Sequence, residues 1–343
     1  ASVGATGSVN YLILGFVIGV CNGFAIPIAQ LFGARDYSDL RRHVANAAWL
    51  CIAGSVVLTI STVALTRPMM QLMQTPDDII DGAGIDIGWI FAGIPFIFLY
   101  NMVAAIMRAL GDSKTPLYFL ILTSALNIGL DLLFIIPFQM GVLGAALATD
   151  ISQVISGVLS FIYLSRKFDV LKMQKSDFAY SKKACARLLG IGIPMGLQCS
   201  ITAIGSVVLQ GAVNGLGSDI VAAQTAGGKA AQFLSVPLES IGTAMTTYTS
   251  QNMGAKDLDR VDRGVHTALG IGCVYSVASF LILRFTDKLL IGLFLEPGET
   301  AIMANAQSFI FWNSVFYIPL AVLIIYRYTI QGLGYSGLAM FAG

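Results

Sequence analysis

Nine apolar stretches set the terms on which this chain can fold. They lie near residues 3–32, 44–66, 85–108, 117–138, 143–165, 188–213, 219–250, 265–294 and 301–326. An apolar run of about 18 residues or more is long enough to cross bilayer hydrocarbon as a helix. Only 11% of the 343 residues are charged, 56% are hydrophobic and the mean hydropathy is +0.77. Soluble domains carry about 25% charged residues, so the pattern predicts an all-α polytopic membrane protein rather than a soluble enzyme. The net charge of +1 gives no basic surface for nucleic acid. The runs 3–32 and 219–250 are long and rich in glycine and small residues. Such residues let helices approach closely in lipid, and spans this long must tilt, bend or extend beyond the bilayer.

Loop charge predicts orientation. Basic residues gather in the loops at 33–43, 108–116, 165–187, 251–264 and 327–343, whereas the alternating loops hold only Arg67, Arg284 and Lys288. The positive-inside rule makes the first set cytoplasmic, and every loop fits one alternation. The long polar stretch 166–187, RKFDVLKMQKSDFAYSKKACAR, reads as a cytoplasmic linker between an N-terminal membrane lobe at 1–165 and a C-terminal lobe at 188–343. Its basic charge also suits an anionic leaflet surface.

The two lobes repeat. Gln30-Leu-Phe-Gly33-Ala34-Arg35-Asp36 matches Gln251-Asn-Met-Gly254-Ala255-Lys256-Asp257 at an offset of 221. Leu110-Gly111-Asp112-Ser113 matches Leu333-Gly334-Tyr335-Ser336 at 223, and Trp89 matches Trp312. Both copies of QxxGA(R/K)D fall on the same side, so the repeats are parallel. The motif predicts a sharp turn at the glycine, then a helix with aspartate in its first turn. Completing the repeat predicts six plus six spans, with one expected before residue 1 and two after Gly343.

Chemistry concentrates in Leu122–Pro137, LTSALNIGLDLLFIIP. Asn127 and Asp131 are four residues apart and share one helix face. A carboxylate at membrane depth costs about 3 kcal/mol or more and is a functional-site candidate by default. The next helix brings the small-residue run Gly144-Ala-Ala-Leu-Ala-Thr149 and then Asp150, across a connection of only a few residues. The two helices should therefore be neighbours, with the Thr149 hydroxyl and exposed carbonyls beside Asp131. Oxygen ligands of this kind suit a hard cation such as Na⁺, and the same carboxylate can take a proton. Lys229 and Glu239 are further intramembrane charges on one helix, too far apart to pair directly. Asp77, Asp78 and Asp81 form a DDxxD pattern, which a membrane prenyltransferase would use for magnesium diphosphate. Set against it is a solvated outer loop beginning a helix at Asp77. Five cysteines show no CxxC spacing, and His43 and His266 have no partners at metal-ligand spacing.

Five motifs together resemble the multidrug and toxic compound extrusion (MATE) family. They are PIAQLFGARDYSDLRR at 27–42, MRALGDSKTP at 107–116, ALNIGLDLLF at 125–134, GVLGAALATDISQ at 141–153 and TSQNMGAKD at 249–257. The resemblance implies two six-helix lobes in a V and extrusion of organic cations or amphipathic compounds against Na⁺ or H⁺, without a cofactor. In the DinF-like branch an Asn and an Asp on the fifth span bind the coupling ion with a Thr on the sixth. Asn127, Asp131 and Thr149 take those places, and Ala145 that of a contributing carbonyl. That branch also uses an Asp on the first span, which this chain does not carry. The NorM-like branch places acidic residues on its seventh and tenth spans, and 188–213 and 301–326 contain none. The resemblance further implies a monomer in the plasma or inner membrane and drug-like small-molecule substrates. Tyr100, Asn101, Met102 and Met107 are candidate linings of an apolar substrate cavity. A lipid-linked oligosaccharide flippase of the same superfamily is the alternative transporter, and Lys229 is the one plausible intramembrane cation for its diphosphate.

Overall fold

The apolar runs form helices nearly end to end. The computed structural model describes residues 2–72, 88–295 and 299–341. Its helices are α1 (Ser2–Gly33), α2 (Tyr37–Leu72), α3 (Ile94–Ala109), α4 (Lys114–Ile135), α5 (Gly141–Lys167), α6 (Lys182–Asn214), α7 (Ser218–Gly254), α8 (Leu258–Gly292), α9 (Thr300–Val315), α10 (Tyr317–Gly332) and α11 (Ser336–Phe341). Among the described residues, six helices are long and apolar enough to cross a membrane, or seven if α9 and α10 form one span bent by 47°. The two remaining expected spans differ for physical reasons. The run 85–108 is helical at 88–92 and again in α3, with a break at Gly93. The run 219–250 lies in α7, which is long but carries too many polar residues to pass as apolar. Asp77, Asp78 and Asp81 lie outside the described residues.

The repeat is visible in backbone detail. α1 ends with Ala34 N–H donating to Gln30 O, Arg35 N–H to Phe32 O and Asp36 N–H to Leu31 O. α7 ends with the same three bonds, from Ala255 to Gln251, Lys256 to Met253 and Asp257 to Asn252. The left-handed residue that turns the chain is not the motif glycine but Arg35 (φ 58°) in one copy and Lys256 (φ 60°) in the other. The glycines are the last helical residues. The aspartates cap the next helix from outside its first turn: Asp36 Oδ1 accepts from Asp39 N–H at 3.1 Å and Asp257 Oδ1 from Arg260 N–H at 3.0 Å. Gly111 (φ 92°) and Gly334 (φ 100°) turn the chain after α3 and α10. These two helices have the same length, 16 residues, and each follows a break, at Gly93 and at Phe316. Proline near each start, Pro95 and Pro319, lacks the N–H that would continue the preceding ladder.

Two compact units result, residues 1–203 and 204–343. In the first, Val17, Phe24, Ile28, Leu40, Ile94, Phe98 and Met107 form a core shared by α1, α2 and α3. α4 buries only Thr115, Pro116 and Thr123 and shows apolar side chains outward, as a lipid-facing span must. In the second unit α7 packs against α8, α9 and α10. Buried Tyr317 there donates from its hydroxyl to Ala231 O at 3.0 Å. Gly332 is needed where α10 meets α7. A Cβ there would fall 2.7 Å from Thr246 O and 2.9 Å from Thr249 Cβ, and Ser250 Oγ donates to Gly332 O at 3.1 Å. Gly332→Val must push two backbones apart and is expected to cost about 3 kcal/mol. A drop of the thermal midpoint by several degrees in the purified protein would show it; an unchanged midpoint would contradict the contact.

The stretch 166–187 is not a free tether. α5 continues through Lys167 and α6 begins at Lys182. Between them two short 3₁₀ turns, Asp169–Leu171 and Lys175–Phe178, lie against α2. Leu171 joins the core of the first unit. Asp177 accepts from Gln174 N–H at 2.8 Å and from Arg41 Nε at 2.9 Å. Fully buried Asn46 donates from Nδ2 to Ala179 O at 3.3 Å and accepts at Oδ1 from Ser181 N–H (2.9 Å) and the Cys185 thiol (3.3 Å). Trp49 Nε1 donates to Phe178 O at 3.3 Å. The division between compact units falls further on, inside α6.

Candidate functional site

The α4–α5 hairpin builds the site. Its connection is short, and Gln139 (φ 52°) and Gly141 (φ 56°) reverse the chain in left-handed conformations. α4 and α5 then run side by side, and the helical period brings Asn127, Asp131 and Thr149 toward one seam. Asn127 Nδ2 donates to Thr149 Oγ1 at 3.3 Å, and Thr149 Oγ1 donates to Ala145 O at 3.1 Å. Further along the seam Thr123, one turn from Asn127, donates from Oγ1 to Ser156 Oγ, two turns from Thr149, at 2.6 Å, pinning the helices together. One turn the other way stands Asp131. Its Oδ1 is buried and has no hydrogen-bond partner.

A buried carboxylate oxygen without a donor is costly, and a bound cation or proton is what relieves it. The donor set here is one carboxylate, an amide, a hydroxyl and a backbone carbonyl, all hard oxygen groups. Among the described residues no cluster of three or more His, Cys, Asp or Glu side chains is placed to hold a metal ion. The chemistry therefore fits a monovalent hard cation or a proton better than a transition metal. The geometry joins Asn127, Thr149 and Ala145 in one hydrogen-bonded chain and sets Asp131 one turn from Asn127.

Asp150 does not join that chain. Thr149 faces α4, whereas the Asp150 side chain lies against Gly93 at the break before α3, and its Oδ1 is also buried without a partner. Successive residues on a helix point about 100° apart, which separates the two. The cavity-lining candidates need correction. Tyr100, Met102 and Met107 are buried, the two methionines in the core of the first unit. Tyr100 donates to Pro116 O at 3.4 Å, and half-buried Asn101 donates from Nδ2 to Ile97 O at 2.8 Å in its own helix. They pack the bundle because α3 sits among α1, α2 and α5.

In the second unit Glu239 has partners that sequence spacing did not supply. Tyr328 OH donates to Glu239 Oε2 at 2.7 Å, and Arg327 Nη2 lies 3.6 Å from Oε1. The apolar pattern assigns Arg327 to the loop at 327–343, but α10 runs on to Gly332. The signal was available in the repeat: α3 ends at Ala109, and the offset of 223 carries that end to Gly332. Lys229 is therefore not the single intramembrane cation; its Nζ lies 5.5 Å from the Phe294 ring centroid.

The family model MatE matches residues 1–133 and 194–343. The probable multidrug resistance protein YpnP of Bacillus subtilis (strain 168) is 29% identical over 94% of this chain and 72% of its own length. The probable multidrug resistance protein YoeA of the same organism is 26% identical over 86% of this chain. This chain spans 65% of the length of YoeA. The multidrug export protein MepA of Staphylococcus saprophyticus is 22% identical over 98% of this chain and 76% of its own. A solved structure described as the outward-facing conformation of a multidrug resistance MATE family transporter of the MOP superfamily covers 99% of this chain. Its TM-score is 0.93 at 23% identity, with 76% of that chain covered, so it speaks for the fold. The repeated helical bundles, the apolar spans and the extent of the match agree: this chain is a multipass membrane protein that belongs to the MatE family.

Proposed function

We propose that the protein is a secondary active multidrug efflux transporter that exchanges Na⁺ or H⁺ for organic cations or amphipathic compounds by alternating access. The observation that carries the reading is the buried, partnerless Oδ1 of Asp131 beside the Asn127–Thr149–Ala145 hydrogen-bonded chain. By the resemblance, these residues take the places of the ion site of the DinF-like branch. Asp131 supplies the charge, Asn127 and Thr149 orient on it, and the Ala145 carbonyl completes the oxygen set. The resemblance supports a plasma or inner membrane location, and the basic loops support a cytoplasmic side for 166–187.

The flippase alternative needs an uncompensated intramembrane cation for a diphosphate. Arg327 is a second cation but is paired with Glu239, which leaves Lys229, over the Phe294 ring, to serve a diphosphate that carries several negative charges; this supports the drug-efflux reading. Full-length protein in proteoliposomes tests that reading directly, with ethidium as cargo and a Na⁺ or a pH gradient imposed in turn. Ethidium should move against its own gradient under at least one of them. Absence of movement under both would overturn the proposal.

A further inference from the structure

Among the described helices of 18 residues or more, α7 is the one that is not apolar enough to count as a span. The reason lies on its outer face. Thr225, Lys229, Gln232, Val236 and Glu239 are exposed and recur every three or four residues, with half-buried Thr243 continuing the line. This is one stripe of a helix. The opposite face, including Ala223, Ala226, Ala230, Leu238 and Gly242, is buried in the bundle. Neighbouring α8 shows the reverse pattern, exposing Ile271, Val274, Val277, Leu281 and Phe285 while burying Ser276 and Ser279. α8 is built to meet lipid. The outer face of α7 is not, because charges and amides in hydrocarbon are expensive and intramembrane ionisable residues face water or protein.

Glu239 lies toward the C-terminal end of this stripe. Its side chain is 49% exposed, whereas that of its partner Arg327 is 16% exposed, with Nε buried and unbonded. The Tyr328 bond at 2.7 Å holds Oε2 firmly; the 3.6 Å approach of Arg327 to Oε1 is loose. The carboxylate is thus compensated from the protein side and open on the other. Exposed Val236, about one turn before it, and exposed Phe233, nearly two turns before it, offer apolar contact area.

Resting on the efflux reading above, we propose that the outer face of α7 lines a water-filled path and that Glu239 recognises a lipophilic organic monocation. Arg327 is its resident counter-ion and yields Oε1 when the substrate cation binds. Phe233 and Val236 take up the apolar groups of the substrate, and Tyr328 keeps the carboxylate aimed outward.

Two measurements on the full-length protein test this. In detergent solution, Glu239→Gln should weaken equilibrium binding of tetraphenylphosphonium about tenfold. It should leave binding of uncharged triphenylphosphine oxide unchanged, and Glu239→Asp should retain most of the cation affinity. Separately, Val236→Cys should react with a charged, membrane-impermeant thiosulfonate, located by mass spectrometry, while Val274→Cys on α8 stays inert. Unchanged tetraphenylphosphonium binding in Glu239→Gln, an equal loss of both ligands, or a Val236→Cys no more reactive than Val274→Cys would overturn the inference. Neither assay uses an ion gradient. Failure of gradient-driven ethidium movement with both results positive would therefore reject the antiport reading and leave this site standing.

Discussion

Asp131→Asn is expected to abolish gradient-driven ethidium efflux in proteoliposomes, by about a hundredfold, while ethidium binding without a gradient persists. The substitution keeps size and shape, so the loss is one of charge. A charge-assisted contact is worth up to about 3 kcal/mol, or about two decades in affinity. Oδ1 of Asp131 has no donor to satisfy it, so the wild-type carboxylate depends on a cation or proton that the amide cannot hold. Thr149→Val removes one oxygen of the proposed ion site and the link to Ala145 O. Its effect should be smaller, about tenfold, and should appear as a higher ion concentration for half-maximal transport. Normal efflux with unchanged Na⁺ and pH dependence in Asp131→Asn would take this residue out of the mechanism.

Asn46→Leu should release the connector 168–181 from α2. The leucine fills the space but leaves Ser181 N–H and Ala179 O without their partner and removes the acceptor of the Cys185 thiol. Breaking a buried network of this kind costs about 2–3 kcal/mol. Hydrogen exchange of residues 168–181 should accelerate by about two decades in the variant and stay slow in the wild type. Acid should reproduce the effect. The Asp177 carboxyl is held below the usual carboxylate range, first by the Gln174 N–H and then by Arg41. A lowered pKa means the stabilisation is fully present above the ordinary carboxylate pKa and is lost as pH falls through the lowered value. Exchange of the connector should therefore rise only in acid. Slow exchange in both Asn46→Leu and acid would show that Leu171 packing alone holds the segment.

Much of the site was legible because helical geometry dictates it. A spacing of four from Asn127 to Asp131 means one face, and a connection as short as that between α4 and α5 means adjacent antiparallel helices. Thr149 had to come near Asn127, and it lies within hydrogen-bonding distance. The repeat was legible for a similar reason, since its motifs code helix ends, and ends are local. The partners of Glu239 and the docking of 166–187 were not. Both depend on contacts across 89 and 136 positions of sequence, which no local period reports.

The residues alone therefore determined the helical spans, the parallel duplication and the approach of Thr149 to Asn127, because length, period and turn chemistry act within a few residues. Tertiary structure decided which faces meet protein. In water an apolar stripe marks the core, but in a bilayer both the buried and the lipid-facing sides of a helix are apolar. Hydropathy alone thus left Tyr100, Met102 and Met107 indistinguishable from cavity residues, and packing placed them inside. The same ambiguity hid the polar residues on the outward side of α7, Lys229, Gln232 and Glu239, until its neighbours fixed which side was out.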